Sequence, residues 1–336
     1  MDKKRLQELN ALLMANKIDR EAFAKLTFDE TYALFRLATI HHTQLNEQIK
    51  KGGLKNTTKE NEDKALKTLL AKANYFYALS IEHIKNMEAF YVAYSQYTNA
   101  PYVVCDPVSF SDQIWAFSDE AKIDAVIEKQ KEQHVLLKSE KIENSEFLKF
   151  FTTLFYMGID RLLFDYGTEG MVFTLEHICR KPDFEKIKNP ITSLDNTALN
   201  LSALYFLQEA RKKTAKPDKE TLDQLEEEMA KNIVSGSYIV PFIQSEKEDV
   251  PANYQLPYVK GPNNEMLLTI FTDLPNFDKY NLEHKFSAIV LSFDKIPTVI
   301  GKGSGIIINP LGFSLYMKKE QIPAFIKRFE NNDDQQ

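Results

Sequence analysis

The chain is poor in the residues that usually carry chemistry. Cys105 and Cys179 are the only cysteines in 336 residues, too few for a disulfide framework, and they point to a reduced, cytoplasmic protein. There are six histidines and one tryptophan. No apolar run approaches the ~20 residues that a membrane-spanning helix needs. The opening MDKKRLQELN is charged and amphipathic, without the apolar stretch of a secretory signal. A formal charge of −6 leaves no excess of Lys and Arg to cover a phosphate backbone. Neither nucleic acid nor a membrane is therefore expected as a partner. Glycine is scarce as well, and its densest cluster, Gly301-Lys302-Gly303-Ser304-Gly305, leads into the apolar run 306–309. A phosphate-gripping loop requires a helix N-terminus at that point, so the cluster reads as a tight entry to a strand.

Against these absences stand 43% hydrophobic and 12% aromatic residues, enough to exclude disorder over most of the length and to fill two cores of ordinary size. The most informative feature is an internal repeat. FYVAYSQ at 90–96 is answered by YIVPFIQ at 238–244, and APYVVCDP at 100–107 by LPYVKGPN at 256–263. IWAFSDE at 114–120 is answered by LTIFTDL at 268–274, and the stretch 159–178 by 305–322. Order and spacing are kept, which predicts one module present twice.

Residues 1–87 read as helical. Leu6, Leu9, Leu12 and Leu13 form one stripe, and Phe28, Tyr32 and Phe35 begin a second. Gly52-Gly53 breaks the chain, Thr57 or Thr58 caps a long third helix, and Leu66, Leu69, Leu70, Ala73 and Tyr77 share its face. At Ala89 the period becomes strand-like. The first module spans 88–180, a helical connector 181–235, the second module 236–330, and a polar, disordered tail 331–336. In the first module Ser118 is placed as the cap of the helix SDEAKIDAVIEKQ, and Cys179 in the closing helix. Short strands mixed with helices, without regular βαβ spacing, define an α+β class with two tandem mixed modules after a helical region.

No residue constellation calls for catalysis. His41-His42 are adjacent, pointing about 100° apart on a helix, whereas helical metal pairs stand four residues apart; they read as a solvated or interhelical polar pair. Cys105 and Cys179 read as core thiols, and His177, two residues from Cys179, faces another side. The second module has Gly261 and Pro323 at the matching places. Glu226-Glu227-Glu228 and Asp333-Asp334 read as solvated surface. Arg211, Lys212, Lys213 and Lys216 suit the negative end of a helix dipole. Trp115, with Thr269 at the matching position, reads as a core or interface residue, or as a binding contact. No catalytic, cofactor or metal residue is assigned.

GIIINPLGFSLYMKKEQI at 305–322, preceded by LPYVKGPNNEMLLTIFTD at 256–273, resembles the SseB N-terminal domain family, in which a strand ends in an Asn-Pro turn with a nearby Gly before a further strand and a closing helix. The resemblance spans about 235–329. Residues 88–180 resemble a divergent member, keeping FSD at 117–119 but placing Asp165-Tyr166-Gly167-Thr168 where the second copy has Asn309-Pro310-Leu311-Gly312. The family lends no catalytic residues. Asn309-Pro310 and Gly312 are expected to serve backbone geometry, Pro fixing φ and Gly supplying φ > 0 in a tight hairpin. The resemblance implies a bacterial, cytoplasmic, non-enzymatic interaction or regulatory protein that needs no cofactor and binds another protein. The alternatives are a small-molecule sensor using the groove between the modules and an enzyme drawing residues from both copies.

Overall fold

The computed structural model describes residues 2–15, 20–52, 57–168, 170–212, 218–244, 254–261 and 263–330. The chain divides into two compact units, Met1–Glu88 and Ala89–Gln336.

The first unit is helical: α1 (Lys3–Met14), α2 (Arg20–Phe23), α3 (Phe28–Lys50) and α4 (Lys59–Asn86). The starts of α1, α3 and α4 follow from capping side chains, Asp2, Thr27 and Thr58, that satisfy an orphan amide of the first turn. Thr27 and Glu30 form a reciprocal capping box at α3, and Thr58, not Thr57, accepts from the Asn61 amide at 3.3 Å to open α4. The seam is narrower than the large-residue stripes predict. Leu9 and Leu13 of α1, Ala33, Leu34 and Ala38 of α3, and Ala73 and Phe76 of α4 are buried together. Leu6 and Leu70 face water, and Phe35 and Tyr77 are half-buried. Small residues let the α3 and α4 backbones approach, which pushes the large side chains to the margin. Lys72 of α4 donates to the carbonyls of Leu13 and Ala15, serving the acceptors that the end of α1 leaves open. His41 meets Asn10 Oδ1 at 2.9 Å, the interhelical polar pair expected of it. Gly53 lies outside the described residues.

The second unit opens with β1 (Ala89–Ser95), β2 (Ala100–Pro101), β3 (Val103–Cys105), β4 (Asp112–Phe117), α5 (Glu120–Lys131), β5 (Leu137–Glu143), α6 (Phe147–Tyr156), β6 (Arg161–Phe164), β7 (Met171–Thr174) and α7 (Leu175–Ile178). The connector supplies α8 (Thr197–Ala210) and α9 (Lys219–Ser235). Then follow β8 (Ser237–Gln244), β9 (Tyr254–Gln255), β10 (Tyr258–Lys260), β11 (Met266–Ile270), α10 (Leu274–Tyr280), β12 (Ser287–Ser292), α11 (Ile296–Val299), β13 (Gly305–Ile308), β14 (Leu315–Lys318) and α12 (Ile322–Glu330).

The pairings of the first set recur in the second. Antiparallel β1–β2 and β1–β5 correspond to β8–β9 and β12–β8. Antiparallel β3–β4 and β6–β7 correspond to β10–β11 and β13–β14. The parallel pair β4–β6 corresponds to β11–β13. The cross-link differs in extent: β1 and β4 pair at Tyr91–Phe117 and Val92–Ala116, closing one seven-stranded sheet. The matching contact is a single bridge, Ile239–Phe271, which leaves sheets of four and three strands. With the parallel pairs outnumbered by antiparallel ones and helices interspersed, the fold is α+β.

Burial follows strand alternation and the phenylalanine run of α6. Phe90 of β1 packs against Phe147, Phe150 and Phe151 of α6 and Phe164 of β6. Trp115 stacks on Tyr166 with ring centroids 4.0 Å apart and meets the Tyr102 ring edge-on. It is a core residue, 5% exposed. Three local expectations are corrected. Cys105 is exposed and Cys179 half-buried: the former ends an edge strand, and the latter is the residue after four-residue α7 rather than part of it. The helix α5 begins one residue later than expected, so Asp119 caps it, accepting from the Lys122 amide at 3.0 Å, while Ser118 turns to Asp165. Glycine at 312 does not supply the positive φ of its hairpin; Asn309 (φ 49°) and Ser314 (φ 51°) do. The Gly301 to Gly305 cluster leads into β13 as expected, and Gly305 faces Met317 O so closely that a Cβ there would stand 2.3 Å away.

Candidate functional site

One constellation recurs in both halves of the second unit. In the first, Asp165 sits at φ 55°, its amide donating to Ala116 O at 2.8 Å and its Oδ1 accepting from the Ser118 amide at 2.8 Å. In the second, Asn309 at φ 49° donates from its amide to Ile270 O at 3.0 Å and accepts at Oδ1 from the Thr272 amide at 3.1 Å. An Asx residue suits the left-handed turn because its short polar side chain bonds locally. The charges differ. Asp165 pairs with Lys122 Nζ at 2.8 Å, whereas neutral Asn309 donates Nδ2 to Thr272 Oγ1 at 2.7 Å.

That difference exposes Asp273, the cap of α10, to other donors. Asp273 is 1% exposed. Its Oδ1 accepts from the Asn276 amide at 2.8 Å, and its Oδ2 from Thr272 Oγ1 at 2.7 Å and Asn200 Nδ2 at 2.8 Å. Asn276 Nδ2 reaches both oxygens. Such a carboxylate is held in one place by its donors.

Helix α8 connects the two sets of strands through polar side chains. Asn200 Nδ2 donates both to Tyr156 O, at the end of α6, and to Asp273. Asn196 Nδ2 donates to Ser237 O and Thr272 O at 2.6 and 2.7 Å. Gln208 exchanges two hydrogen bonds of 3.0 Å with the Val103 backbone, acting as one more rung on β3. Tyr205 Oη donates to Asp112 Oδ1 at 2.6 Å. Arg211, the C-cap of α8, donates to Tyr97 O at 2.6 Å on one side and to Phe313 O and Ser314 O at 3.0 and 2.8 Å on the other. Half-buried, its guanidinium is pushed below its ordinary pKa by desolvation. Arg211 and Lys212 stand at the C-terminal end of α8, where the basic cluster is expected; Arg211 also serves carbonyls of both strand sets, and Lys212 pairs with Glu209. Lys213 and Lys216 lie outside the described residues.

Between these supports lies a cavity of about 220 Å³. Tyr94, Glu146, Lys149 and Phe150 line it from the first strand set, Asn200 and Leu204 from α8. Asp273, Asn276, Lys279, Gly312 and Phe313 close it from the second. Here Gly312 has its reason: a Cβ would stand 2.8 Å from Asn276 Oδ1. Lys279 is an exposed residue, yet neighbouring protein desolvates its ammonium and pushes its pKa down. Asn200 Oδ1 is buried without a hydrogen-bond partner, although both donors of the same amide are engaged.

None of the residues singled out in the sequence, Cys105, Cys179, His177 or Trp115, lines this cavity. His177 is exposed. Glu226, Glu227 and Glu228 are exposed on α9, with Glu227 paired to Arg328; Asp333-Asp334 and the tail lie outside the described residues. Among the described residues no three His, Cys, Asp or Glu side chains come together as a metal set, and no helix is long and apolar enough to cross a membrane. The cavity residues went unnoticed because they are scattered Asn and Lys side chains without motif spacing. Of the lining, the sequence singles out Gly312, for hairpin geometry, and includes Asp273 only within the block that carries the family resemblance.

The fold and site together define an α+β protein with a half-open recess, lined more by apolar than by polar surface, between two strand sets and a bridging helix. Residues 207–324 match the family model of the SseB protein N-terminal domain. The match begins earlier than the resemblance at 235 suggested and takes in α9. No curated protein matches the chain in sequence. Among solved structures, Anabaena Tic22, described as a protein-transport protein, is 13% identical over 65% of this chain and 84% of its own. The TM-score of 0.18 establishes no shared fold.

Proposed function

We propose that the protein is a non-enzymatic, cytoplasmic regulatory protein that binds a small molecule in the recess between two SseB-type modules, the middle one being a divergent second copy. The observation that supports this reading is the cavity itself. It is enclosed by side chains from both strand sets and α8, and it carries an unpaired buried acceptor on Asn200. At about 220 Å³ it is smaller than the roughly 300–1,000 Å³ of sites for drug-sized ligands, so the occupant is a small metabolite. The saturation of Asp273, the one fully buried carboxylate of the lining, favours binding over acid–base chemistry. Thr153→Phe projects a ring into the recess from α6. The expected result is that a metabolite which raises the melting temperature of the full chain by several degrees leaves Thr153→Phe unmoved. If no small polar metabolite shifts either protein, the reading fails.

A second reading, docking of another protein, draws on the loop 106–111. Val108 and Phe110 are 85% and 80% exposed, yet the loop is tied down: Asp106 Oδ1 accepts from the Val108 amide and from the amide and hydroxyl of Ser109. Phe110 is held at φ 54°, an uncommon conformation for a bulky residue. A rigid aromatic knob is what an interface anchor requires. Phe110→Ser is expected to leave the melting temperature within about 1 °C, since the ring has little to lose on the surface, and to abolish retention of a partner from native lysate. Retention of the same partner by the variant would remove this reading.

A further inference from the structure

The lining of the recess is specific about charge. Two ammonium groups border it, Lys149 on α6 and Lys279 on α10, one from each strand set. Neither forms an ion pair among the described residues, whereas Lys122, Lys138 and Lys212 do. The two carboxylates of the lining do not answer them. Asp273 spends both oxygens on Asn200, Thr272 and Asn276, and Glu146 stands exposed in the short turn that precedes α6. Lys149 repels Lys279 and Asp273 attracts it, but burial dominates and lowers the Lys279 pKa. Burial pushes up the carboxyl pKa of Asp278, beside it in sequence, and the Lys149 charge acts against that shift. Both lysines are exposed residues, and an ammonium without a fixed counter-charge gains from an anion held against it.

The opposite requirement comes from Asn200. Its Nδ2 protons are both committed, to Tyr156 O and Asp273 Oδ2, at 2.8 Å each. That fixes the orientation of the amide, because the reverse assignment would set Oδ1 against two acceptors. The acceptor Oδ1 is therefore the unsatisfied atom, and a buried unsatisfied acceptor costs about 1–3 kcal/mol.

From this geometry, and resting on the reading of the recess as a ligand site, we propose that its occupant is a small organic anion bearing a hydroxyl or amine donor. The anionic group lies between Lys149 and Lys279, and the donor satisfies Asn200. The anion ties α6 to α10, so occupancy stiffens the junction between the modules. Carboxylate and phosphate ester share this chemistry. Calorimetric titration of the full chain distinguishes them, with malate and glycerol 3-phosphate as probes, and glycerol and ethanolamine as uncharged and cationic controls. One anion is expected to bind and the controls not. Lys149→Met and Lys279→Met are each expected to weaken that binding about tenfold, a loss near 1.4 kcal/mol, whereas Lys302→Met, at an exposed glycine turn away from the recess, is not. Unchanged melting temperatures certify the variants as folded. Binding of glycerol or ethanolamine with both anions refused would overturn the anion assignment and leave the recess a ligand site. Anion binding that is indifferent to both lysine variants would overturn it too. If none of the four probes binds, the assignment fails with this probe set, and the Thr153→Phe comparison decides separately whether the recess binds anything.

Discussion

Phe90→Ala is expected to lower the unfolding free energy of the second unit by about 4 kcal/mol, within the 3–5 kcal/mol typical of a fully buried Phe. Phe90 has no exposed surface and lies among four other rings: Phe147 at 4.6 Å, Phe151 stacked at 5.6 Å, Phe150 at 5.7 Å and Phe164 at 5.8 Å between centroids. Deleting it removes apolar burial and opens a void that a helix anchored at both ends cannot collapse to fill. Phe90→Leu, which keeps most of the volume, is expected to cost about half as much. The lone Trp115 belongs to the same strand set, so its fluorescence follows denaturant unfolding of this unit directly. A shift of the midpoint at constant slope is the expected signature. A midpoint that stays in place would mean that α6 does not pack on β1.

Asn309→Ala is expected to cost about 3 kcal/mol, the sum of backbone strain and an unmet buried donor. Asn309 has no exposed surface, stands at φ 49°, and bonds Thr272 through both ends of its amide. Alanine tolerates the left-handed conformation poorly and leaves the Thr272 amide unsatisfied. Asn309→Gly separates the two causes: it relieves the strain, so it is expected to be about 1 kcal/mol more stable than the alanine variant while still lacking the hydrogen bonds. Equal stabilities for Ala and Gly would show that conformation plays no part at this turn. Thermal unfolding of the three proteins measures the difference. Because Thr272 adjoins Asp273, the same variants are also expected to loosen the cap of α10 and with it the Lys279 side of the recess.

The element pattern was legible because it rests on local physics. The β-rich stretches at 89–95 and 237–244, a cap at Thr57 or Thr58, and the 3.6-residue period of the N-terminal helices need no knowledge of distant neighbours. By contrast, α10 and its cap Asp273 were missed. The errors come where two local options compete. Ser118 and Asp119 both cap helices well, and the choice between them fell to Asp165, 47 residues away, which claims Ser118. Gly312 looked like the positive-φ residue of its hairpin, but Asn309 and Ser314 take that conformation, and Gly312 is needed instead for its missing side chain beside Asn276. Cys105 looked buried because its strand is apolar, yet at the end of an edge strand it faces water.

What the sequence by itself determined is the α+β class, the repeated order of blocks, and the SseB resemblance at the C-terminal end. All three depend on residue type and spacing along the chain. The recess was beyond it. Lys149, Asn200 and Lys279 are separated by 51 and 79 positions, carry no motif, and acquire meaning only when α8 spans both strand sets and Arg211 fastens them through the carbonyls of Tyr97, Phe313 and Ser314. Charge becomes informative when the fold brings distant side chains to one recess, and that proximity is a property of the tertiary structure alone.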